Sequence, residues 1–171
     1  MWEAGKIDNA YHPFTAGGLN WLVLNLEMWA RTGAVDWAKT VLANHPRHNV
    51  IIISHHHLTK DSLIAQNHGG YGDTSPQYVF DNLIKQYANV RLVFSGHVGQ
   101  AGDLESTGVQ GNKLYQFLQH QLGSLNAPPT GRPTSWRPMT IKRITGRAPA
   151  LPPTASSGRR TPAAPPWPTQ A

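Results

Sequence analysis

The sequence contains no cysteine and no apolar run long enough to cross a membrane. Without cysteine the chain forms no disulfide scaffold, no Cys-ligated zinc finger and no iron–sulfur centre. The most apolar runs, residues 22–26 and 50–53, have the length of a strand, whereas a membrane helix needs about 20 consecutive apolar residues. The opening residues MWEAGKID lack the basic and apolar segments of a signal peptide, so we expect none in this chain.

Acidic residues and histidines are both missing from residues 126–171. That segment carries seven Lys or Arg side chains and eleven of the fourteen prolines. Residues 1–125 carry eight basic and nine acidic side chains, a net charge of −1, so the formal +6 of the whole chain belongs to the final segment. A composition so rich in Pro, Arg and Ala predicts a disordered tail, and the abrupt change suggests a segment that is out of frame.

A basic segment free of acids also suggests a second kind of function, that of a non-catalytic binding module. Seven positive charges give salt-dependent affinity for nucleic acid or for an acidic partner. Only two aromatic residues, Trp136 and Trp167, interleave with these charges, and the chain shows no motif of a nucleic-acid-binding fold. We therefore keep this function as the alternative and do not expect nucleic acid as the partner.

The rest of the chain alternates strand-like and helix-like patterns, which predicts an α/β (α+β layered) domain whose loops carry function. The dipeptide Ser75-Pro76 is typical of a helix start, with serine as the N-cap and proline in the first turn. The predicted elements are strands over residues 19–26, 50–54, 90–95 and 113–119, and helices over residues 35–44 and from residue 76 onward.

Histidines follow two of the predicted strands directly. Residues 50–54 lead into His55, His56 and His57, and residues 90–95 lead into Gly96 and His97. Open α/β sheets keep their ligands at the carboxyl ends of the strands, so neighbouring strands would let His55 and His97 share one metal ion. In an extended segment, His55 and His57 would point to one side and His56 to the other. The alternative is that these are hydrogen-bonded loop residues.

A glycine-rich loop, AQNHGGYGD, offers His68, Tyr71 and Asp73 as residues that flank a substrate, with a plain flexible connection as the alternative. Asp61, Asp73 and Asp103 are the available carboxylate partners for a metal, with solvated loop acids or helix caps as the alternative. Four further histidines are expected to be ordinary surface or loop residues, namely His12, His45, His48 and His120.

A strand ending in SHHHL, followed about forty residues later by FSGHVG, resembles the C-terminal half of calcineurin-like metallophosphoesterases. The stretches AGGLNWLVLNLE and WAKTVLANHP are similar to bacterial members, and the resemblance covers about residues 2–120. It implies that residues 1–125 are part of a β-sandwich flanked by helices. It also implies two divalent ions (Mn, Fe or Zn) and hydrolysis of a phosphomonoester or phosphodiester.

Matched to the motifs of that family, His55 is the strand-end metal ligand and His97 is the first histidine of G-H-x-H, on the same metal. The second histidine of G-H-x-H is Gly99 here. The resemblance makes His56 a residue that follows the ligand without binding metal, while adjacency keeps His56 and His57 as candidates for a metal or substrate contact.

The family motifs D-x-H, G-D-x-x-D and G-N-H-[DE] occur nowhere in the 171 residues. The resemblance therefore implies an incomplete metal site in a truncated enzyme. We expect little or no turnover from this chain alone, and a missing N-terminal half as its partner. Full-length relatives are often extracellular or periplasmic, but nothing in this chain indicates its compartment.

Overall fold

The computed structural model describes residues 1–70 and 72–119, which form a mixed six-stranded sheet and two α-helices. This architecture confirms the mixed α/β class. The predicted disorder of residues 126–171 falls outside the described residues. In chain order the elements are β1 (Ala10–Ala16), β2 (Leu19–Leu26), α1 (Thr32–Asn44), β3 (Asn49–Ser54), α2 (Pro76–Asn82), a 3₁₀ turn (Ile84–Gln86), β4 (Val90–Ser95), β5 (Gly102–Thr107) and β6 (Lys113–Leu118).

The centre of the sheet is parallel and its two edges are antiparallel. The strand order is β1-β2-β3-β4-β6-β5, in which β2, β3, β4 and β6 run parallel to one another. The outer strands β1 and β5 pair antiparallel with β2 and β6. The carboxyl ends of four neighbouring strands therefore meet at one edge of the sheet, which is where open α/β sheets carry their sites.

The core lies between the two helices and one face of the sheet. In strand β2, Leu22, Leu24 and Leu26 alternate with less buried residues, so all three side chains point towards the helices and enter the core. Helix α1 packs on them with apolar residues at helical spacing, including Val35 and Leu42, which are fully or almost fully buried. Among the described residues, no helix is long and apolar enough to cross a membrane.

Both predicted helices are present, and hydrogen bonds to side chains determine where each of them begins. The predicted start of α2 is confirmed, because the Ser75 hydroxyl accepts a hydrogen bond from the Tyr78 backbone N–H at 3.1 Å and Pro76 occupies the first turn. Helix α1 begins at Thr32, earlier than predicted. The first turn is stabilised by Asp73, which lies 41 residues further along the chain. One of its carboxylate oxygens accepts hydrogen bonds from the Thr32 backbone N–H and hydroxyl at 3.1 and 3.3 Å.

Candidate functional site

The histidines from two neighbouring strands meet at the carboxyl edge of the sheet, as the sequence predicts. His55 follows β3 and His97 follows β4, and the Gly96 backbone N–H donates to the His55 carbonyl at 3.0 Å. Both side chains belong to exposed residues. Their ring centroids lie 5.2 Å apart with the planes at 78°. Two imidazoles on one tetrahedral ion, with metal–nitrogen bonds of about 2.0–2.1 Å, have centroids roughly 5 Å apart. The pair thus has the separation that one shared ion requires.

The backbone of His97 has an unusual conformation that sets the direction of its side chain. Its φ is +76°, in the left-handed region that residues other than glycine seldom adopt. From there the imidazole packs against His55, against His56 with centroids 4.5 Å apart, and edge-on against Trp29 at 5.9 Å. We call His55, His56, His97 and Trp29 the histidine cluster.

His56 lies in the cluster with one ring nitrogen already engaged. The Trp29 indole N–H donates a hydrogen bond to His56 Nδ1 at 3.0 Å. Burial, and next the neighbouring His97 and His55, lower the pKa of His56 below its ordinary value. His56 is therefore neutral at pH 7, and it faces the cluster although the alternation expected of an extended segment would turn it away from His55.

His57 lies apart from the cluster, in the core of the protein. It is 2% exposed, and its Nε2–H donates to the Gln116 side-chain oxygen at 2.6 Å. Burial lowers the pKa of His57 to about 4, an effect that the hydrogen bond to Gln116 opposes only in part. The predicted alternation, with His55 and His57 on one side, is wrong because the regular strand ends at Ser54 and the chain bends at His55.

Trp29, which follows β2, is the member of the cluster that the sequence analysis missed. It has a left-handed backbone, with φ +53°. The glycine-rich loop packs directly on its indole, because a Cβ added at Gly69 or Gly72 would lie 2.1 or 2.3 Å from Trp29 atoms. The glycine-rich loop is the only sequence signal for this contact, since glycines let a ring approach the backbone closely. The sequence does not show that the ring is that of Trp29.

The other predicted loop residues have separate roles. His68 is exposed, and its Nδ1 lies 2.8 Å from the Gly69 carbonyl oxygen. Asp73 caps α1 through Thr32. Tyr71 lies outside the described residues. The loop thus reaches the histidine cluster through Trp29 and its glycines.

We predict that Gly69→Ala displaces Trp29 from His56, because the new methyl group overlaps the indole ring. Such overpacking typically costs about 1–3 kcal/mol. Urea unfolding followed by tryptophan fluorescence measures the loss. Gly70→Ala is the matched control, because no atom lies within 4 Å of its added Cβ. Equal stability of the two variants would contradict the packing of the loop on Trp29.

No carboxylate completes a metal site in the part of the chain that the structure describes. Asp61 pairs with the Lys60 ammonium at 2.8 Å, Asp73 caps α1, and Asp103 projects from the edge strand β5. Within residues 1–70 and 72–119, no group of three or more His, Cys, Asp or Glu side chains is arranged to hold a metal ion. The residues present fit two ligand positions of one ion and do not fit a dinuclear centre.

An open groove of about 590 Å³ lies beside the histidine cluster. His56 lines it, together with polar residues from the loops that follow β3 and β4, among them Lys60, Gln66, Asn67 and Gln100. Asp61 also lines the groove and pairs with the Lys60 ammonium, and the Gln66 amide already donates to the Ile64 carbonyl and to Gln77, so the lining is polar without a net formal charge. When the chain is compared with known proteins, no family model and no curated protein matches it.

Proposed function

We propose that this chain is the C-terminal half of a metallophosphoesterase, in which His55 and His97 bind one divalent ion of Mn, Fe or Zn. The observation that carries the proposal is the 5.2 Å separation of these two imidazoles at the carboxyl ends of adjacent parallel strands. When bound, such an ion polarises a phosphoryl oxygen and lowers the pKa of its water. The motif resemblance around SHHHL and FSGHVG supplies the substrate class, a phosphomonoester or phosphodiester.

The chain's own residues would hold the ion and orient the substrate. His55 and His97 provide two imidazole nitrogens as ligands, and the groove that His56 lines holds the phosphoester. Two imidazoles alone bind a metal weakly, since zinc sites in proteins use three or four protein ligands. We therefore propose that the carboxylate ligands come from a further polypeptide segment, the N-terminal half of the enzyme, and that this chain alone turns over substrate poorly.

The second face of the sheet supports a partner of this kind. Within residues 1–70 and 72–119 the helices pack on one face only, and the side chains of the opposite face remain partly exposed, with Ile53 39% exposed and the rings of Phe94 and Phe117 stacked 5.2 Å apart. The four central strands give this face the apolar residues Val23, Ile51, Ile53, Leu92, Phe94, Tyr115 and Phe117, and Asn25 of β2 and Asp103 and Glu105 of β5 lie on it as well. An apolar strip along the centre of a sheet face is typical of a surface that packs against a second sheet.

The test is hydrolysis of p-nitrophenyl phosphate and of bis(p-nitrophenyl) phosphate with Mn²⁺, Fe²⁺ or Zn²⁺ added. We expect slow, metal-dependent turnover that falls to background in His55→Ala and in His97→Ala, because each variant removes one of the two ligands. His12→Ala is the matched control, since His12 is an exposed histidine of β1. Robust turnover that both ligand variants retain would contradict the proposal.

A further inference from the structure

The contact between Trp29 and His56 determines which tautomer His56 adopts. An indole N–H only donates hydrogen bonds, so the nitrogen that receives it, His56 Nδ1, carries no proton. A neutral imidazole then carries its proton on Nε2. Among the described residues, no hydrogen bond joins His56 Nε2 to another group. The ring therefore offers one free donor, Nε2–H, and no free lone pair.

This tautomer separates the roles of the adjacent histidines. A metal needs a nitrogen lone pair, and the only lone pair of His56 is held by Trp29. His55 and His97 make no such bond to Trp29, and both are exposed. His56 also lines the groove of about 590 Å³, whereas His55 does not. The lone pairs of the cluster thus belong to His55 and His97, and its free donor belongs to His56.

We propose that His56 binds the phosphate group of the substrate through Nε2–H, and that Trp29 is a positioning residue that fixes the tautomer. This inference rests on the proposed function for the identity of the ligand. Trp29 is held in place on both sides, by the glycine-rich loop at Gly69 and Gly72 and by the His97 ring. Hydrogen bonds to charged groups are strong, so loss of this donor should weaken phosphate binding about 10- to 100-fold.

The tautomer is tested by long-range ¹H–¹⁵N NMR of the imidazoles in the full ¹⁵N-labelled chain. In the wild type we expect His56 to show a protonated Nε2 and an unprotonated Nδ1, and in Trp29→Phe a mixture of both tautomers. Trp21→Phe is the matched control, because it removes an indole hydrogen bond, to the Ala16 carbonyl, at the other end of β2. A wild-type His56 with its proton on Nδ1 would overturn the inference.

Ligand binding is tested on the same samples with inorganic phosphate and with Zn²⁺. We expect His56→Ala to weaken phosphate binding about 10- to 100-fold, and Trp29→Phe to weaken it by the smaller factor that the remaining Nε2–H tautomer allows, about twofold for an equal mixture, while Zn²⁺ affinity stays within twofold of the wild type in both. Phosphate affinity that is unchanged in both variants, or Zn²⁺ that shifts the His56 nitrogens like those of a ligand, would overturn the inference. A third outcome separates the two proposals. If Zn²⁺ leaves the nitrogens of His55 and His97 unperturbed and the His56 tautomer is as expected, the proposed function is contradicted and the inference about His56 is not.

Discussion

Acidification from pH 7 to pH 4 is expected to remove about 3 kcal/mol from the free energy of unfolding through His57 alone. In the unfolded chain this histidine binds a proton near pH 6.5, and in the folded chain its pKa is lowered to about 4. A lowered folded pKa means that the unfolded state binds the proton first. The stabilisation is therefore complete above pH 6.5 and is lost as the pH falls towards 4.

The reason for this large effect is the position of the His57 ring. It is 2% exposed, and its Nε2–H is bound to Gln116, whose amide in turn donates to the Ser106 hydroxyl at 2.9 Å. A second proton would place an imidazolium in the core without a carboxylate partner among the described residues. The network joins the segment after β3 to β6 and β5, so protonation would loosen this segment and two strands of the sheet.

The measurement is urea unfolding at several pH values between 7 and 4, in the wild type and in His57→Gln. Glutamine can donate to Gln116 without titrating, so the variant should lose most of the pH dependence between 6.5 and 4. The two proteins are compared only by how steeply the free energy of unfolding changes with pH, so a difference in stability at pH 7 does not affect the result. Equal slopes in the two proteins would show that His57 is not held neutral by the fold.

Replacement of His97 by glycine is expected to abolish metal binding without lowering the stability of the fold. The left-handed conformation of His97 costs an L-residue roughly 1–2 kcal/mol, which glycine avoids. The greater freedom of glycine in the unfolded chain offsets about 0.4–1 kcal/mol of that gain. His97→Gly should thus be as stable as the wild type or up to about 1.6 kcal/mol more stable.

His97→Ala separates the two contributions, because alanine removes the imidazole and keeps the backbone strain. Neither variant should show detectable Zn²⁺ binding, and only the glycine variant should keep or gain stability. Thermal unfolding and calorimetric Zn²⁺ titration on the same preparations give both quantities. A glycine variant clearly less stable than the alanine variant would mean that the backbone of His97 is not strained in solution.

The central strands and the helices could be predicted from the sequence, and the edge strands could not. The predicted strands over residues 19–26, 50–54, 90–95 and 113–119 match β2, β3, β4 and β6 within a residue at each end. These strands have a buried face, which leaves a pattern of apolar residues. Strand β1 is almost wholly exposed and contains Pro13, and β5 begins at a glycine and carries two acids, so neither has such a pattern.

The approach of His55 to His97 could be predicted because it follows from adjacent strands that end together. The different positions of His56 and His57 could not, because they depend on partners far away in the sequence. His57 turns into the core to reach Gln116, 59 residues further on, and His56 meets Trp29, 27 residues earlier. Contacts of this range leave no local periodicity, so the sequence alone could not place the side chains of His56 and His57.

Zinc titration of the purified chain, by calorimetry and by NMR of its imidazoles, tests most directly whether His55 and His97 form one metal site. A second histidine pair makes the test strict, because His45 and His48 at the far end of β3 also have ring centroids 5.2 Å apart. We predict one ion per chain that perturbs His55 and His97 together, is lost in His55→Ala and His97→Ala, and persists in His45→Ala. Binding that survives both ligand variants, or that follows His45 instead, would contradict the account.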